Sequence, residues 1–142
     1  DVEDIYDIRK MIEGLAARWA AEKITDEQLK ELKDILDLME FFTDKENVEK
    51  FSELDSKFHE IIFKASNSRP LESVLSNFHH FIQRARLVSV KTKGRIACSL
   101  EEHRRIYEAL AAHDPDAAED AVVDHVGNAR MNLSPYLEKE QV

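Results

Sequence analysis

Asp55 and His59 stand four residues apart, a spacing that stacks two side chains one turn apart on a single helix face. Leu54 and Phe58 beside them belong to an apolar stripe, which turns the carboxylate and the imidazole toward the interior. A carboxylate buried without a partner is strongly unfavourable, and a divalent cation satisfies both groups at once. His103 sits beside Ile106, Tyr107 and Leu110, and His125 lies among Val122, Val126 and Ala129. Each therefore presents one imidazole on the buried side of its own helix. Brought together, the four residues form an Asp/His₃ set suited to Zn, Ni, Co, Mn or Fe, among which imidazole-rich sites discriminate weakly. A single histidine on an apolar face is more often a core residue with satisfied hydrogen bonds, so the weight rests on the four together. His79 and His80 are adjacent, which lets at most one point inward, and His113 sits in a turn beside Asp114 and Pro115. Those three read as structural or solvated.

Positioning such a set requires long helices, and apolar periodicity predicts six of them. The first runs from about Val2 to Lys23, with Ile5, Ile8, Ile12, Leu15, Ala16 and Trp19 as its buried stripe. Thr25 caps the second, with Gln28 completing a capping box, and its stripe runs from Leu29 to Phe42. The third spans Lys45 to about Ala65. Pro70 suits the first turn of a fourth helix reaching about Val90. Lys91 to Cys98 is basic, aperiodic and contains Gly94, so it reads as the main loop. Ser99 with Glu102 forms a second capping box, opening a fifth helix through Ala112. Asp114 caps a sixth from about Pro115 to Glu138, with Pro135 expected to kink or fray its end. The expected architecture is an all-α antiparallel helical bundle, because short connections make neighbouring helices run up and down.

Composition agrees. The 142 residues suit a single compact domain, 43% hydrophobic and 35% charged, with only three glycines and three prolines. A net charge of −9 repels phosphate backbones, and no basic, aromatic-interleaved stripe offsets it. Any action on DNA is thus expected to reside outside these residues. No run of 18 apolar residues is present, so no membrane-spanning helix is predicted. Cys98 stands alone, which excludes an internal disulfide and fits a cytoplasmic, reducing setting. The acidic start without Met or signal peptide reads as a fragment excised from a longer protein.

Four motifs in order carry a family resemblance over residues 1 to about 137. They are Ile8-Arg9-Lys10-Met11-Ile12-Glu13-Gly14-Leu15-Ala16-Ala17; Leu54-Asp55-Ser56-Lys57-Phe58-His59; Glu102-His103-Arg104-Arg105-Ile106-Tyr107-Glu108-Ala109-Leu110; and Asp116-Ala117-Ala118 leading to Asp124-His125-Val126. Together they resemble the FCD domain, the C-terminal effector-binding and dimerisation domain of the FadR subfamily of GntR-type transcription regulators. The resemblance implies a non-enzymatic role in which open metal positions receive the carboxylate of a small organic acid. It also implies a homodimer, and DNA binding through an N-terminal winged helix-turn-helix that these residues do not contain. The sequence itself offers only a thin sign of dimerisation, Phe41 beside Phe42. Arg9, held by Glu13, is then expected to grip the effector, with Arg86 facing the same cavity and Asn128 reaching the effector or a metal-bound water. Without the resemblance, Arg9 and Glu13 read more readily as a plain surface pair at i,i+4. Two other readings are a metal-dependent helical-bundle hydrolase, which steady turnover would reveal, and a metal-free structural interaction module, which would tolerate leucine at His103 or His125.

Overall fold

The computed structural model describes residues 2–132. Within them are seven helices and no strand: α1 (Val2–Lys23), α2 (Asp26–Asp44), α3 (Val48–Ala65), α4 (Arg69–Asn77), α5 (His79–Val90), α6 (Arg95–Ala111) and α7 (Pro115–Met131). The all-α bundle expected from periodicity is therefore present, with one helix more than the six expected. No helix among the described residues is long and apolar enough to cross a membrane.

Five helices close a ring in which α1 packs on α7, α7 on α6, α6 on α2, α2 on α3, and α3 back on α1. Phe51 and Phe58 of α3, Leu32 and Met39 of α2, Ile106 and Leu110 of α6, and Val126 of α7 fill its centre. Each such side chain contributes about 1.5–3 kcal/mol when fully buried. Gly14 lets α1 pack tightly on α7, since an added Cβ would lie 3.1 Å from Val123 Cγ2. Arg18 ties the same two helices by pairing with Asp116 and Glu119. Outside the ring, α5 touches α1, α3, α6 and α7, and α4 covers α1 and α3.

The expected caps on α2 and α7 are present: Thr25 and Gln28 form the capping box, and Asp114 accepts from the Ala117 amide. Other boundaries differ. Asn47 caps α3, which starts at Val48 instead of Lys45. The predicted fourth helix is two helices, because the chain breaks at Phe78 (φ −94°, ψ 0°), a residue without the Gly or Pro that would signal an interruption. The expected loop 91–98 is short. Gly94 takes a left-handed conformation (φ 81°) open to a residue without Cβ, and α6 starts directly after it. Ser99 and Glu102 accordingly lie inside α6, buried, and form no capping box. The buried face of α1 is also rotated from the expected one. Tyr6, Arg9, Glu13, Ala16, Ala17 and Ala20 are buried, whereas Ile5, Ile8, Ile12, Leu15 and Trp19 are only half-buried. The predicted end of the last helix at Pro135–Glu138 lies outside the described residues.

Candidate metal centre

Three ring helices place the four predicted ligands at one point. Asp55 and His59 come from α3, His103 from α6 and His125 from α7, and none is more than 3% exposed. One ligand atom from each lies within 4.8 Å of the others. Asp55 Oδ1 is 2.8 Å from His103 Nε2 and 3.2 Å from His59 Nε2. The His59 and His125 rings stack at 5.4 Å, and the His103 ring stands edge-on to His125 at 4.6 Å.

Proton positions decide what this cluster can hold. His103 Nδ1 lies 2.6 Å from the Ser99 carbonyl, which can only accept, so Nδ1 carries the proton. The Nε2 lone pair then faces the Asp55 oxygen, and two acceptors at 2.8 Å repel unless a cation stands between them. His125 repeats the pattern: Nδ1 donates to Glu102 Oε1 at 2.6 Å, leaving Nε2 bare. His59 Nδ1 is 3.6 Å from Glu13 Oε1, while its buried Nε2 has no hydrogen-bond partner. His103 and His125 thus anchor Nδ1 on an outer oxygen and turn Nε2 inward, the arrangement that orients histidines toward a metal. The residues present fit a divalent transition ion, and the donor set is that of imidazole-binding metals.

Electrostatics hold the donors in ligand-ready states. Burial pushes the His59 pKa down to about 3, reinforced by the Arg86 guanidinium and resisted by Asp55. Burial likewise lowers His125 to about 4 against the hydrogen bond to Glu102. For Asp55 burial acts upward, but the His103 and His59 imidazoles beside it outweigh burial and hold the carboxyl well below its usual range. Both histidines therefore favour the folded state only while neutral. That contribution is complete above 6.5, their ordinary value, and is lost as pH falls toward 4 and then 3. Unfolding of the metal-free protein, followed by circular dichroism between pH 7.5 and 5, is expected to show stability falling below pH 6.5. The slope is at most about 1.4 kcal/mol per pH unit for each histidine. A flat profile would contradict the assignment.

Two residues that sequence reasoning missed complete the surroundings. Glu102 accepts from Arg95 at 2.7 and 2.6 Å as well as from His125. A visible signal was the seven-residue spacing of Arg95 and Glu102, two turns apart on one face. The misplaced start of α6 concealed it. Glu102→Gln replaces an acceptor with a group that can turn its NH₂ toward His125, and is expected to weaken metal binding about 10- to 100-fold. Competition against a chelator with known affinity measures this.

The predicted effector residues take distinct places. Arg9 is 1% exposed, and its Nε donates to Glu13 Oε2 at 2.5 Å, so the pair is buried and not a surface pair. Arg86, also buried, reaches Glu13 Oε1 at 3.0 Å. Glu13, held to about pKa 2 by Arg9 and Arg86 against the upward effect of burial, joins them through a single carboxylate. Asn128 lies at the edge, its Nδ2 donating to Glu102 at 3.2 Å. A cavity of about 510 Å³ opens between α3, α4 and α5, with Ser56, Lys64, Glu72 and Arg86 in its wall. His79 and His80 are both exposed and border that cavity, and Arg84 is solvated. His113 Nδ1 donates to the Ala21 carbonyl at 2.8 Å, a structural contact.

The FCD domain model matches residues 4–128. The HTH-type transcriptional regulator LutR of Bacillus subtilis is 32% identical over 98% of this chain and 65% of its own length. The galactonate operon transcriptional repressor of Escherichia coli is 27% identical over 93% of this chain and 57% of its own length. A solved structure of Streptococcus agalactiae GntR superposes with a TM-score of 0.75 at 27% identity, covering 92% of this chain and 58% of that one. The chain thus spans little more than half to two-thirds of these relatives, which are transcriptional regulators and not enzymes. Matched from its first helix into its last, and sharing its bundle with such a regulator, this chain belongs to the FCD domain family of GntR-type transcriptional regulators.

Proposed function

We propose that this chain is the effector-sensing and dimerisation domain of a longer, cytoplasmic FadR-subfamily regulator. Asp55, His59, His103 and His125 would hold a divalent transition metal, and a small organic acid would bind there through its carboxylate. The observation that carries this reading is the convergence of the Asp55 carboxylate and three buried imidazoles on one point, with His103 and His125 anchored from behind through Nδ1. Four protein ligands leave one or two positions on a five- or six-coordinate ion, and a bound metal supplies a Lewis-acidic anchor for a carboxylate. Arg9 and Arg86 supply buried positive charge beside it, and Asn128 borders the same centre through Glu102. Support from relatives is chemical in kind: galactonate, for which the Escherichia coli repressor is named, is the carboxylate of a sugar acid.

Signalling follows from where the groups sit. An acid bridging the metal and Arg9 links α1 to α3, α6 and α7. It shifts the domain between two arrangements by the difference in its affinity for them. DNA contact belongs to a part of the regulator outside this acidic bundle. Exposed Met11, Val74, Phe81 and Leu87 on α1, α4 and α5 offer apolar surface for a second copy.

The test is a thermal-shift panel of small carboxylates run on metal-loaded protein and again with a chelator. At one hundred times its dissociation constant the recognised acid should add about 2.7 kcal/mol of stability, and only with metal present. Equal stabilisation under chelation, or none from any acid, would overturn the reading.

A further inference from the structure

Charge and hydrogen-bond accounting at this centre narrows the class of acid. Among the described residues three guanidinium groups are buried, those of Arg9, Arg86 and Arg95, against three carboxylates, those of Glu13, Asp55 and Glu102. Arg95 and Glu102 neutralise each other through two hydrogen bonds. Glu13 alone serves both Arg9 and Arg86, so that triad carries one net positive charge. A divalent ion on Asp55 and three neutral imidazoles leaves a second net positive charge. The His59 ring stands between the two poles, its Nδ1 facing Glu13 and its Nε2 facing Asp55. Buried charge left unbalanced is costly, and a monoanion can balance one pole only.

Unused donors lie on Arg9 and Arg86 and on the residues one turn from each, Tyr6 and Ser89. Arg9 Nη1 and Nη2, Arg86 Nε, the Tyr6 hydroxyl and Ser89 Oγ are buried and have no hydrogen-bond partner among the described residues. The Arg9 guanidinium lies over the Tyr6 ring at 5.1 Å, and Ser89 follows Arg86 by one turn on the buried face of α5. A guanidinium with both terminal nitrogens free is built to take a carboxylate in two parallel hydrogen bonds.

We infer that the effector is a short dicarboxylate, with one carboxylate on the metal and the second on Arg9, assisted by the Tyr6 hydroxyl. This rests on the metal-and-carboxylate reading above and extends it. Isothermal titration of Zn-loaded protein with malonate, succinate and glutarate, each against the monocarboxylate of equal chain length, tests it. The best diacid is expected to bind about 10- to 100-fold tighter than its match. Tyr6→Phe should weaken diacid binding about 3- to 10-fold and leave monoacid binding unchanged. It should not lower the melting temperature of the metal-free protein, because it removes a hydroxyl that has no partner. Monoacids binding as tightly as diacids, or Tyr6→Phe weakening both alike, would overturn the inference and leave carboxylate sensing standing. Binding of neither class would overturn both.

Discussion

His103→Gln is expected to lower affinity for divalent transition metal by at least about 100-fold, and to abolish the rise in melting temperature that metal produces. Changing a residue behind a metal ligand already costs about 10- to 100-fold, and His103 supplies the Nε2 that stands 2.8 Å from Asp55. Glutamine keeps most of the bulk that Phe51 and Phe58 pack against edge-on, so the fold should persist while the ligand is lost. Chelator competition on both proteins reads the difference, with circular dichroism confirming equal helicity. Unchanged affinity would mean that the metal lies elsewhere. The metal-free interaction module considered from the sequence makes that opposite prediction.

Glu13→Gln is expected to destabilise the metal-free protein by about 3–5 kcal/mol, the usual consequence of removing one member of a buried ionic group. Glu13 is 1% exposed and, among the described residues, is the only carboxylate paired with Arg9 and Arg86. The substitution therefore strands two buried guanidinium groups at nearly constant shape. For a domain of this size the melting temperature should fall by about 10 °C or more. An exposed i,i+4 pair contributes only a few tenths of a kcal/mol, so Lys33→Ala, which removes the exposed Lys33–Asp37 pair, serves as the control. Urea unfolding of the two variants separates the cases. A loss below about 1 kcal/mol at Glu13 would show that the triad relaxes into water.

The same residues explain how much of the molecule was legible in the sequence. Asp55, His59, His103 and His125 could be found because each interrupts an apolar stripe with a metal-binding group, and periodicity reports which face is buried. Periodicity failed on α1 for the complementary reason. It counts apolar residues, and here the core side is held by Arg9 and Glu13, whose burial depends on Arg86 from another helix. The apolar run of Ile5, Ile8 and Ile12 accordingly marked a half-buried flank. The break at Phe78 carries no local signal, since Leu75 and Ile82 are buried on either side of it. Ser99 looked like a cap because Ser followed by Glu three residues on is the cap pattern. In the fold its carbonyl fixes the His103 proton, a role set by tertiary contacts.

A crystal structure of the metal-loaded protein, with anomalous data collected at the absorption edge of the added ion, tests the central claim most directly. One peak per chain should lie about 2.0–2.2 Å from a carboxylate oxygen of Asp55 and from Nε2 of His59, His103 and His125. A peak elsewhere, or no peak at this centre when the crystal is saturated with Zn, Ni, Co or Mn, would contradict it.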